Sequence, residues 1–233
     1  MKPILFNTEM VKAILDGRKT TTRRLVKPQP LFIELSGRWV WSIPKSKVHK
    51  GCCTEVCSAS REWWNYLMPD QSLYQVGDIL YVRETWLKAD DGFHYKADIK
   101  VPSESEDLRN AYGYKWHPSL HMTKEAARIF LRVKEIRTER LQCLNNEDAI
   151  KEGLKLPCHR EHDDCSAYTH CLTGYKDGKG SCIQKFINLW DSTIPKENHT
   201  DMYTYGWNNN PWIWVIEFER IGKEEAESIT DLN

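Results

Sequence analysis

The apolar positions of this chain fall into short runs whose period changes repeatedly. Met10, Val11, Ile14 and Leu15 recur at helical spacing behind Thr8, a residue suited to cap a helix, and Gly17 supplies a natural stop. Leu5 and Phe6 ahead of them read as a short strand, and the β-branched start of residues 20–26 predicts another. A polar run therefore falls on a helix-to-strand junction.

Further along, Gly77-Asp78 is a turn signal that introduces a strand over residues 79–86, apolar on both faces at first and so buried. Residues 128–136 alternate, with Ile129, Leu131 and Val133 set against Arg128, Phe130, Arg132 and Lys134, which predicts a half-exposed strand. Asn145 or Asn146 caps a short helix through Asp148, Ala149 and Ile150, ended by Gly153. Glu152 falls in its last turn, where a carboxylate is disfavoured by the helix dipole. Ile183, Phe186, Ile187 and Trp190 form one helical stripe, and residues 212–218 a final strand.

Between these elements, residues 28–75 read as an irregular insertion with room for a hairpin, and residues 90–114 as a polar connection. Strands separated by short helices and long loops predict an α+β protein built on a small, mostly antiparallel β-barrel. The length favours one domain over residues 1–222, with inserts at about 28–75 and 154–182 and a frayed acidic tail at 223–233.

Charge narrows the partners. Lys plus Arg equals Asp plus Glu at 33 each, so no global field draws the chain to a polyanion, and any nucleic-acid contact must be local. Ten tryptophans and ten tyrosines offer core, stacking surface or both. There is no apolar run long enough to span a bilayer and no secretion signal at the start, so a cytoplasmic location with no membrane partner is expected. In a reducing compartment the eight cysteines, three at 52–57, one at 143 and four at 158–182, are free thiols or metal ligands. Cys158, Cys165, Cys171 and Cys182 with His159, His162 and His170 would suffice for a structural zinc, but no C-x-x-C knuckle is present, and we assign no metal. Phosphate-loop, dinucleotide and serine-hydrolase signatures are absent, and no cofactor is expected.

The richest candidate chemistry lies at residues 17–24, GRKTTTRR. A hydroxyl three residues from a lysine can approach its amine at a bent junction, and a desolvated lysine can act as a base, which makes Lys19 and Thr22 a candidate pair. As plain edge residues, the same basic side chains would only solvate a strand. Arg18 and Arg24 could hold a phosphate by forked hydrogen bonds. Arg83, Glu84 and Trp86 could line a base pocket, with the tryptophan stacking and the glutamate accepting from an exocyclic amine, or equally form a core tryptophan beside an ion pair.

ILDGRKTTTRR resembles the opening signature of the ASCH domain family, a branch of the PUA-like fold. VGDILYVRETW, WHPSLHM, RLQCLNNEDAIKEG and NPWIWVIEFERI also look like ASCH proteins of phages and prophages, and together they cover nearly the whole chain outside the two inserts. The resemblance implies a nucleoside or RNA partner and a site made of Lys19, Thr22 and Glu152, as in the family's N4-acetylcytidine amidohydrolases. Lys19 would then activate Thr22 or a water, and Glu152 would move protons. A non-catalytic reader of RNA or a modified base, and a metal-assisted ribonuclease, are the alternatives. This chain is more than twice the size of the small amidohydrolases it resembles.

Overall fold

The computed structural model describes residues 1–27, 29–33, 38–42, 56–59, 72–99, 113, 115–154, 182–194 and 205–231. Ten strands and four α-helices lie among them, in an α+β arrangement with parallel and antiparallel pairing. The strands are β1 (Lys2–Leu5), β2 (Thr21–Leu25), β3 (Leu31–Ile33), β4 (Arg38–Ser42), β5 (Val56–Ala59), β6 (Ile79–Arg83), β7 (Trp86–Ala89), β8 (Gly92–Tyr95), β9 (Phe130–Arg140) and β10 (Trp212–Ile221). The helices are α1 (Thr8–Leu15), α2 (Asn146–Lys151), α3 (Cys182–Ser192) and α4 (Lys223–Asp231). Five strands run in the order β1-β6-β9-β10-β2, three in the order β3-β4-β5, and β7 pairs with β8; among the described residues no ring of strands closes. Also among them, no helix is long and apolar enough to cross a membrane.

The chain divides into two compact units, the first made of Met1–Thr20, Val76–Lys134 and Glu217–Asn233, the second of Thr21–Gln75 and Glu135–Ile216.

In the first unit β1 pairs parallel to β6, Ile4 opposite Val82, and β6 pairs antiparallel to the start of β9, Leu80 opposite Leu131. Leu80 and Val82 are fully buried and Ile79 and Tyr81 nearly so, the two-faced apolar start the sequence predicts, but the strand stops at Arg83 rather than running to Trp86, which opens β7. Helix α1 is capped by Asn7, whose side chain accepts from the Met10 N–H, one residue before the expected Thr8. Gly17 takes φ +74°, and the Arg18 and Lys19 N–H groups both donate to the Ala13 carbonyl, so the helix ends in a left-handed turn.

Two readings of this unit needed correction. The polar stretch from residue 90 opens with the turn and second strand of the β7–β8 hairpin, Trp86 opposite Tyr95, turned at Asp90-Asp91 with Gly92 at φ +138°. The tail is not frayed up to Asp231: α4 buries Ala226 completely and packs Ile229 against the core cluster that includes Phe130 and Tyr81, so its few apolar side chains anchor an otherwise acidic helix.

The second unit has a core of Leu141, Leu144, Ala149, Phe186, Trp190, Ile213 and Val215. Helix α3 supplies Phe186 and Trp190, two members of the predicted stripe, and the Trp190 indole donates to the Tyr205 carbonyl at 2.9 Å. Burying one such side chain is worth roughly 1.5–3 kcal/mol. Gln29 fastens the end of β2 beside β10: its amide donates to the Val26 and Trp212 carbonyls, and its oxygen accepts from the Trp212 N–H. The insert at 28–75 contributes the antiparallel β3-β4-β5 sheet, one strand more than a hairpin.

Candidate functional site

Helix α2 and strand β2 build the polar centre of the second unit. Asn145 caps α2 in a reciprocal capping box with Asp148: the Asn145 side chain accepts from the Asp148 N–H at 2.9 Å. Six residues suffice because Gly153, at φ +93°, can leave the helix at once. Asp148 and Glu152 are four residues apart, so they share one side of this turn, and both face the same arginine. Arg23 Nη1 donates to Glu152 Oε1 at 3.2 Å, and Arg23 Nη2 lies 3.5 Å from Asp148 Oδ2. The arginine side chain is 1% exposed and that of Glu152 6%. The guanidinium also sits over the Phe186 ring, 6.0 Å from its centroid.

Thr22 is 2% exposed in β2. Alternation along the strand assigns Thr22 to the face of Arg24 and Arg23 to that of Thr21. Burial pushes the Arg24 guanidinium below its ordinary pKa, opposed by the negative charge of Glu152 and then by Tyr74. The structure thus gives Glu152 an arginine of the GRKTTTRR run as a direct partner, Arg23, and couples it electrostatically to Arg24. Neither Arg23 nor Asp148 was singled out in the sequence reading. The usable signal was the pair of carboxylates four apart on a capped helix.

Lys19 and Arg18 belong to the first unit. Lys19 is 3% exposed, with Nζ above the Phe6 ring at 5.4 Å, and Phe6 in turn lies 6.2 Å from the Phe218 ring. Arg18 folds back on Asp16, its Nη2 2.8 Å from Oδ2.

The VRETW segment forms a second polar centre in this unit. Glu84 is 1% exposed, and Arg128 grips it in a fork, Nε to Oε1 at 2.9 Å and Nη2 to Oε2 at 3.1 Å. Arg128 Nη1 donates to Asp98 at 2.7 Å, and its guanidinium lies over the Tyr95 ring, 3.9 Å from the centroid. Burial raises the Glu84 carboxyl above its ordinary pKa, with the Arg128 hydrogen bonds pulling the other way. Arg83 donates to the Leu120 carbonyl and the Tyr81 hydroxyl, both at 3.2 Å. Trp86 is 9% exposed, its ring 5.6 Å from Phe93 and 5.3 Å from His117.

Cys182 is buried on α3, which pushes its thiol pKa up. Cys158, Cys165, Cys171, His159, His162 and His170 lie outside the described residues.

Comparison with protein families, curated proteins and solved structures returned no match to this chain. The class that the fold defines is an α+β protein with one buried polar cluster on β2 and α2 and another around Glu84, just after β6, and Arg128, just before β9.

Proposed function

We propose that this chain is an ASCH-type protein of the PUA-like fold, with its strands arranged as a small barrel, and that it hydrolyses an acylated cytidine-like nucleoside using Lys19, Thr22 and Glu152. One observation carries the reading. The buried polar residues among those described are Lys19, Thr21, Thr22, Arg23, Ser72, Glu84, Thr138 and Glu152, so four of eight fall within residues 17–24 and a fifth is ion-paired to one of the four. Taking charges out of water costs several kcal/mol per ion, and a junction that only solvated a strand would leave them exposed. Ionisable groups held out of water in one short run favour a chemical role.

The reaction is an amide hydrolysis: N4-acetylcytidine and water give cytidine and acetate. Lys19 takes a proton from the attacking group, the Thr22 hydroxyl or a water, and that proton passes by way of the Glu152 carboxylate to the departing amino nitrogen; where Thr22 attacks, water then hydrolyses the acetyl-threonine ester to release acetate. Arg23 fixes the orientation of Glu152. Arg18 and Arg24 are the candidates for phosphate contact if the nucleoside is part of RNA.

The test is incubation of purified protein with N4-acetylcytidine and chromatographic detection of cytidine. Turnover that falls at least ~100-fold in Thr22→Ala and Glu152→Gln, each checked for folding by circular dichroism, supports the reading. No cytidine from folded wild-type protein overturns it. Saturable binding without turnover, unchanged by Thr22→Ala, would make the protein a reader.

A further inference from the structure

A recess of about 380 Å³ opens in the first unit, lined among others by Phe93, Tyr95, Asp98, Ile99, Trp116 and Arg128. Its size lies at the small end of the ~300–1,000 Å³ common for small-molecule sites. The chain builds it deliberately. The β7–β8 hairpin carries Phe93 and Tyr95, and Trp86 exchanges both backbone hydrogen bonds with His117, at 3.2 and 2.7 Å, which brings Trp116 alongside the hairpin. Tyr95 is fixed by its hydroxyl, which donates to the Ala126 carbonyl at 2.7 Å.

The lining selects the chemistry of an occupant. Three aromatic residues and a guanidinium laid on Tyr95 make flat walls suited to a planar ring. A phosphate is a poor fit, because Nε, Nη1 and Nη2 of Arg128 are each already bonded to a carboxylate, and Glu84 and Asp98 together outweigh its charge. A compact cation would meet that same guanidinium in the wall. Asp98 and His94 are the polar groups on offer, and the His94 ring is held by Asp91, Nε2 to Oδ1 at 2.8 Å, which leaves Asp98 as the anionic acceptor. Its side chain is 53% exposed, and with Oδ2 engaged by Arg128, Oδ1 remains to accept a hydrogen bond.

We infer that this recess binds a planar nitrogen heterocycle of nucleobase size, stacked against the aromatic walls with an edge N–H donated to Asp98. The site is separate from residues 17–24 and does not depend on the hydrolase reading. Arg128 has a double part in it: it forms one wall, and by its bond to Asp98 it holds the carboxylate that reads the edge.

Titration calorimetry of the full chain with guanosine, cytidine and caffeine tests this, caffeine being a planar heterocycle with no N–H. Guanosine or cytidine should bind with Kd below about 1 mM and caffeine at least tenfold more weakly. Trp116→Ala and Asp98→Ala, both at side chains with access to solvent, should each weaken nucleoside binding at least ~10-fold, a loss near 1.4 kcal/mol. Because Asp98→Ala removes only a half-exposed carboxylate, it remains informative if Trp116→Ala fails to fold. Absence of saturable heat from both nucleosides overturns the inference, as does an unchanged Kd in folded Asp98→Ala, or caffeine binding as tightly as the nucleoside that binds.

Discussion

Arg23 and Glu152, 129 positions apart in sequence, meet at 3.2 Å with both side chains almost wholly removed from solvent. Removing one partner leaves the other charge buried without full compensation, at a cost of ~3–5 kcal/mol. Arg23→Met is therefore expected to lower the unfolding free energy by about that amount, and Glu152→Gln by less, because Arg23 keeps Asp148 nearby. Urea denaturation of the two variants decides it, and a change under ~1 kcal/mol in Arg23→Met would show that the pair is not buried in solution.

The capping box on α2 sets where Glu152 sits. Asn145→Ala removes the acceptor for the Asp148 N–H and should cost ~1 kcal/mol. Since Asp148 and Glu152 share that helix, the substitution is also expected to weaken the interaction with Arg23. A double-mutant cycle between Asn145→Ala and Arg23→Met should give a non-zero coupling, roughly 0.5 kcal/mol or more, whereas strict additivity would show that the cap acts alone.

Glu84 gives a pH signature. Burial pushes its carboxyl above the ordinary 4.5 despite the Arg128 hydrogen bonds. A group that holds its proton more tightly in the folded state contributes stability that is complete below its unfolded pKa and is lost as pH rises through the folded pKa. The stability of wild type relative to Glu84→Gln, which cannot titrate, should therefore fall as pH is raised above about 4.5 and level off once Glu84 is ionised in the fold. Denaturant midpoints of both proteins from about pH 4 to 8 report the difference, and a rise over the same window would reverse the assignment.

Gly17 isolates a backbone effect. A Cβ added there meets nothing within 4 Å, yet φ is +74°. Gly17→Ala should thus cost ~1 kcal/mol or more from conformation alone, read as a lowered thermal midpoint, with Gly17→Asn less harmful because asparagine tolerates this region.

Much of the frame was legible in the sequence, and the reasons are local. Helix α1 follows from its apolar stripe and its glycine stop, β6 from an apolar run after a turn, and α2 from an asparagine cap and Gly153. β9 was legible in part. The predicted alternation holds from Leu131 to Val133, but Phe130, set on the polar side, is buried, and Lys134 and Glu135 are exposed in succession before Ile136 turns inward, a change of phase visible in the residue types that the expected strand passed over. The β7–β8 hairpin went unread because its Asp90-Asp91 turn lies in a stretch whose polarity resembled a connection. The clusters were legible only by half. Lys19, Thr22, Glu84 and Glu152 stand out as chemistry-bearing residues, and all four are buried. Their described partners Arg23, Asp148 and Arg128 are ordinary charged residues in sequence, and pairings across 44 or 129 positions leave no spacing to recognise.

The segments of the two units alternate along the chain, and this imposes an order on their completion during synthesis. Every residue of the second unit has been made by Ile216, while the first still lacks Glu217–Asn233, the stretch carrying Phe218 and Ala226 of its core. Of the two units, the one whose segments begin earlier in the sequence is therefore the later to close. Until then its buried carboxylate, Glu84, and the apolar side chains around Phe130 have only a partial enclosure, which makes the first unit the more exposed of the two to aggregation while the chain is nascent.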